Sequence, residues 1–117
     1  MQDNNEITQA WDCLIVGGGP GGLTAAVYLA RYRRRVALID NGGSRAALIP
    51  LSRNLPGCAQ GLAGEEFLRC LRAQAAQYQV HVLTGTVLNL QHVTEGFAAQ
   101  IDDGYSVRAR AVLLATG

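Results

Sequence analysis

The chain has 117 residues, 49% of them hydrophobic and 16% charged, with a formal charge of +1. This suits one folded domain with a sizeable core and excludes a disordered polyelectrolyte. The near-neutral balance gives no basis for nucleic acid as a partner, and no apolar run is long enough to span a membrane.

Residues 1–10, "MQDNNEITQA", are polar and read as a flexible leader, not a signal peptide. Residues 12–16 form a short apolar strand stopped by glycine. Pro20 suits the first turn of a helix, which runs through Arg34 and turns basic at Arg31, Arg33, Arg34 and Arg35. Val36–Asp40 is the second strand, so this is a β-α-β unit with parallel strands and a right-handed crossover. Residues 41–63 make a long connection with Pro50 and Pro56, which in a compact domain marks a functional loop or an unrecognised element. Gly64–Tyr78 is a second helix with Phe67, Leu68, Leu71 and Ala75 on one stripe. A third parallel strand follows at 80–84. Segments 86–93, 96–102 and 105–110 alternate and are separated by Glu95-Gly96 and Asp103-Gly104, so they predict an antiparallel meander. Residues 111–117, "AVLLATG", form a closing apolar strand. The fold class is therefore α/β, Rossmann-like: a parallel sheet with helices plus a small antiparallel meander.

Gly17, Gly19 and Gly22 spell G-x-G-x-x-G between a strand and a helix, and Asp40 ends the next strand at the expected distance of roughly 20 residues. Gly17 permits the tight turn, Gly19 a close approach to a pyrophosphate, and Gly22 with Ala26 close helix–strand packing. The helix N-terminus offers amides and partial positive charge to phosphate. A carboxylate at Asp40 can accept both ribose hydroxyls and repels a 2′-phosphate, which favours FAD or NAD over NADP at this site.

Here the chain resembles the FAD half of the thioredoxin-reductase-like flavoproteins, the class II pyridine nucleotide–disulfide oxidoreductases. The likeness runs from Trp11 to Gly117 on four ordered motifs: "VGGGPGGLTAAVYLAR", "NLPG", "GLAGEEFLRCLRAQAAQY" and "LLATG". The resemblance implies that Gly17, Gly19, Pro20, Gly21 and Gly22 line the FAD pyrophosphate and that Asp40 meets the adenosine ribose. It places Ser44 and Arg45 near the pyrophosphate and flavin side, and Asn54 by the flavin ring. Val87 falls beside the adenine, and Ala115, Thr116 and Gly117 near the ribityl end. It also implies NAD(P)H as reductant of a complete member, and a homodimer. One departure is Arg33, where the extended motif often carries glycine.

The family continues past ATG into an NADPH domain and a returning G-D segment, so residues 11–117 read as an incomplete FAD-binding domain, inactive alone. The alternative is a stand-alone FAD- or ADP-binding module that works with a partner chain. A minimal NAD-binding domain of another class fits less well, because N-x-P-G and ATG are both present. No catalytic residue is assigned. Cys13, Cys58 and Cys70 are widely spaced and make no C-x-x-C, so neither a zinc knuckle nor a dithiol pair is expected. An odd count points to reduced thiols and a cytoplasmic setting. Cys13 reads as a buried hydrophobe and Cys70 as partly buried packing. His81 and His92 lack ligand spacing, so no metal is expected. Tyr28 and Tyr32, one helical turn apart, read as core or sheet-facing contacts. The Arg31–Arg35 run reads as a solvated helix end.

Overall fold

The computed structural model describes residues 10–117; the expected leader lies almost wholly outside them. One six-stranded sheet organises the chain, in the order β3-β2-β1-β6-β5-β4. The strands are β1 (Trp11–Val16), β2 (Val36–Asp40), β3 (His81–Thr84), β4 (Val87–Val93), β5 (Gly96–Ile101) and β6 (Ser106–Leu114). Strands β1, β2, β3 and the second half of β6 run parallel, while β4, β5 and the first half of β6 form the antiparallel meander.

The third meander segment and the closing strand are not separate elements, as their patterns suggest, but one continuous β6. Val107 pairs with Ala99 of β5, Ala109 pairs with both Phe97 of β5 and Trp11 of β1, and Val112 pairs with Leu14. The first half is half-buried and therefore alternates, with Val107 and Ala109 buried and Arg108 exposed. The second half pairs with parallel β1 and carries a solid apolar run, although Leu113 and Leu114 are exposed in this chain. A change of pairing partner along one strand thus imitates a boundary.

Two helices lie on one sheet face. Helix α1 (Pro20–Arg31) buries Gly22, Leu23, Ala26 and Val27. Helix α2 (Gly64–Gln77) buries Gly64, Leu68 and Ala75. Together they cover Cys13, Ile15, Val36 and Leu38. On the other face Leu14, Ala37 and Ile39 share a core with Ala99, Ile101, Val107 and Ala109, so the meander lies across it. Two expectations fail on these faces. Tyr28 and Tyr32 are 59% and 75% exposed, because the buried stripe of α1 follows Leu23, Ala26 and Val27 and both tyrosines point off it. Cys70 is exposed for the same reason, lying off the Leu68–Ala75 stripe of α2. Cys13 is buried as expected.

Helix α1 stops four residues before the basic run ends. The Arg33 N–H donates to the Ala30 carbonyl at 2.9 Å, and the Arg34 N–H donates to the Leu29 carbonyl at 3.1 Å. This is a Schellman turn, and its pivot, Arg33, has φ +64°. Glycine takes that conformation without the Cβ penalty of roughly 1–2 kcal/mol. The departure from the extended motif therefore falls on the one position of the turn where glycine is favoured. Arg33→Gly should raise the unfolding free energy by about 1 kcal/mol, as read from urea denaturation. A decrease would show that the arginine side chain supports the turn.

Candidate functional site

The glycine loop leaves the C-terminal end of β1 and is clamped from both sides. The Gly17 N–H donates to the Ile39 carbonyl of β2 at 2.9 Å, and the Ala115 N–H donates to the Val16 carbonyl at 2.8 Å. Gly17 takes φ +119°, and a Cβ there would overlap the Ala115 carbonyl. A Cβ on Gly18 would overlap the Asp40 carboxyl, so this glycine allows the acidic side chain to lie directly over the loop. Gly22 is buried behind the loop, where a Cβ would overlap the Gly17 carbonyl.

Helix α1 begins at once, with Gly19 as N-cap and no side-chain cap. Leu23 is the first helical residue whose N–H returns to the chain, to the Gly19 carbonyl at 3.0 Å. The amides of Gly21 and Gly22 precede that bond, and the first turn carries no acidic side chain. Unclaimed donors and the positive end of the helix dipole therefore meet at one point, a setting for an anion.

A cleft of about 440 Å³ opens over this point. Ten of the sequence-derived residues line it: Gly17, Gly19, Pro20, Gly21, Asp40, Ser44, Arg45, Ala115, Thr116 and Gly117. Asp40 stands on one side, with its side chain 14% exposed. Its Oδ1 accepts the Gly42 N–H at 3.0 Å, and the Arg72 guanidinium lies 3.8 Å from its Oδ2. Ser44 stands near Gly19 and caps a 3₁₀ turn over Arg45–Leu48, its Oγ accepting the Ala46 N–H at 3.2 Å. The long connection thus holds an element of its own, and that element brings Arg45 to the cleft.

Val87 lines a smaller adjoining cavity of about 150 Å³, whose walls include Val16, Ile39, Gly85 and Thr86. Gly17, Asn41 and Thr116 border both spaces. Asn54 is brought to neither: it is exposed, and its Oδ1 accepts the Ser52 hydroxyl at 3.2 Å. The sequence reading missed Gly18, Asn41, Gly43 and Ala46. The signal for three of them was adjacency, since Gly18 is the middle of the glycine triplet and Asn41 and Gly43 follow Asp40 directly. Burial pushes the Cys13 thiol pKa up, which keeps it protonated and inert. Among the described residues no group of His, Cys, Asp or Glu is arranged to hold a metal, and no helix is long and apolar enough to cross a membrane.

The comparisons agree with this fold. Thioredoxin reductase 2, mitochondrial, of Saccharomyces cerevisiae is 31% identical over 113 residues, 88% of this chain and 33% of the relative. A ferredoxin–NADP reductase of Leuconostoc citreum is 30% identical over 115 residues, 93% of this chain and 34% of the relative. The crystal structure of thioredoxin reductase from Streptococcus pyogenes superposes with a TM-score of 0.87 at 30% identity, over 92% of this chain and 35% of that one. The chain spans about a third of the length of the curated relatives it matches. The profile described as pyridine nucleotide-disulphide oxidoreductase matches residues 11–117, and the chain belongs to that family.

Proposed function

We propose that this chain holds FAD, as the cofactor-binding part of an NAD(P)H-dependent flavin oxidoreductase of the thioredoxin-reductase-like type. The carrying observation is the stacking of Asp40 over Gly18, beside an uncapped helix N-terminus, with an apolar-walled cavity adjoining. The donor set fits the cofactor. The Gly21 and Gly22 amides and Arg45 suit the pyrophosphate, the Asp40 carboxylate suits the ribose hydroxyls, and Val16, Ile39 and Val87 suit a flat base. A bound flavin supplies hydride acceptance from a nicotinamide and onward electron transfer, and the protein supplies placement and electrostatics. A cytoplasmic setting and a homodimer belong to the same proposal. The described cysteines are all free thiols, which supports a reducing compartment.

Titration of the 117-residue chain with FAD, followed by flavin fluorescence, tests this directly. Binding is expected, and it should be weaker than in a full-length relative. Absence of any response to FAD or ADP would overturn the assignment.

The same chain, loaded with FAD, should show no NADPH oxidation. Hydride transfer needs the nicotinamide held roughly 3–3.5 Å from its acceptor, and the single G-x-G-x-x-G of the chain is already committed to one dinucleotide. Sustained turnover abolished by Cys58→Ser would instead assign that thiol a redox role.

A further inference from the structure

All ten cations of the chain are arginine. Six of them, Arg31, Arg33, Arg34, Arg35, Arg108 and Arg110, gather at the end of the sheet opposite the glycine loop, where β1 and β2 begin. Asp12 and Glu95 are the acidic residues among the clefts of that end. Two of the arginines are engaged by aromatic rings. The Arg35 guanidinium lies 4.5 Å from the Trp11 ring centre and donates to the Ala10 carbonyl at 3.3 Å, while Arg31 lies 5.9 Å from the Tyr78 ring centre. The guanidinium groups of Arg33 and Arg34 have no acceptor or ring partner among the described residues. Both line a cleft of about 430 Å³ whose walls include Trp11, Val36, Tyr78 and Gln79. The Trp11 wall is fixed in place, since its ring also stacks on His81 at 5.2 Å. Arg34 reaches a neighbouring cleft as well, which it shares with Arg110.

Arg33 itself is the second, independent observation. The Schellman turn is closed by backbone bonds alone, and glycine would close it with less strain. The bonds that close the turn do not involve the arginine side chain, and that side chain lines the cleft. We propose that the Arg33–Arg34 corner is a second anion site, taking a soluble small molecule by its phosphate group. Guanidinium forks match phosphate oxygens bidentately, and two neighbouring cations match a dianion. The concave cleft has the volume of a small-ligand site. A net charge of +1 gives little long-range attraction for a polyanion, which disfavours a nucleic acid or an anionic membrane.

The test is a titration of the isotope-labelled 117-residue chain with inorganic pyrophosphate, following backbone amide shifts. The amides of Val36 and Gln79 should move in the native chain. In Arg33→Gly and Arg34→Gln their apparent Kd should rise about tenfold, the loss of one charge-assisted contact. Shifts in the Gly17–Gly22 loop should be the same in all three proteins. Arg33→Gly should also melt about 4 °C higher, so that its lost affinity cannot be put down to unfolding. Unmoved Val36 and Gln79 amides, equal affinity in the variants, or equal affinity for succinate would overturn the proposal. So would a response confined to anionic phospholipid vesicles or to DNA.

Discussion

Gly17→Ala is expected to destabilise the chain by about 3 kcal/mol and to abolish dinucleotide binding. Two costs add at this residue. The backbone sits at φ +119°, which an L side chain rarely adopts, and the new Cβ would overlap the Ala115 carbonyl. Strain in a sparsely populated region costs roughly 1–3 kcal/mol, and overpacking costs a similar amount. Relief would require β1 and the end of β6 to separate, which threatens the bond from the Ala115 N–H to the Val16 carbonyl. Gly42→Ala isolates the first cost. Gly42 has φ +84°, but a Cβ there meets nothing within 4 Å, so its loss should be about 1 kcal/mol. Gly21→Ala isolates the effect on the cleft, because Gly21 lies in the first turn of α1 with open space around a Cβ, yet it lines the site. That variant should keep its stability and lose affinity for FAD. Urea denaturation of the three variants, paired with FAD titration, checks the set. A Gly17→Ala loss no larger than that of Gly42→Ala would show that β1 and β6 are not rigidly joined at the loop.

These variants probe the part of the molecule that was most legible from residue types. The β1–loop–α1–β2 unit follows from local rules alone: an apolar run, glycines where backbone approaches backbone, and an acid at the end of the next strand. Ten of the thirteen expected site residues line one cleft: eight sit in the turns that leave the C-terminal ends of β1, β2 and β6, and Ser44 and Arg45 are brought there by the 3₁₀ turn. Asn54 escapes that logic. It lies in the 41–63 connection, whose path is set by the Ser52–Leu62 bridge and by packing of the Arg45–Leu48 turn against α2, and neither contact is visible in residue order. The same holds for β6, where one strand pairs antiparallel with β5 along its first half and parallel with β1 along its second, and so carries two patterns. Tyr28 and Tyr32 were misplaced because spacing alone shows that two residues share a helix face, not which face is buried.

Asp40 decides which dinucleotide the cleft accepts, and Asp40→Asn should weaken FAD and ADP by about tenfold to a hundredfold. A hydrogen bond to a charged acceptor contributes roughly 1.5–3 kcal/mol, and the amide keeps one acceptor oxygen of the two. The carboxylate is held for this task. Gly18 lets it lie over the loop, the Gly42 N–H fixes Oδ1 at 3.0 Å, and the side chain is only 14% exposed. Its negative charge, shielded from water on one side, also raises the cost of a 2′-phosphate brought alongside. Arg72 stands 3.8 Å away and is now turned toward Asp40. With the charge removed, that guanidinium becomes available to a phosphate instead, the arrangement by which an arginine accommodates a 2′-phosphate in such sites. The ratio of ADP affinity to that of its 2′-phosphorylated analogue should therefore fall by more than the ADP affinity itself. Adding Arg72→Gln to Asp40→Asn should reverse the gain for the 2′-phosphate while leaving ADP affinity where the single variant put it. Equal affinities for ADP in native and Asp40→Asn chains would remove the carboxylate from the site.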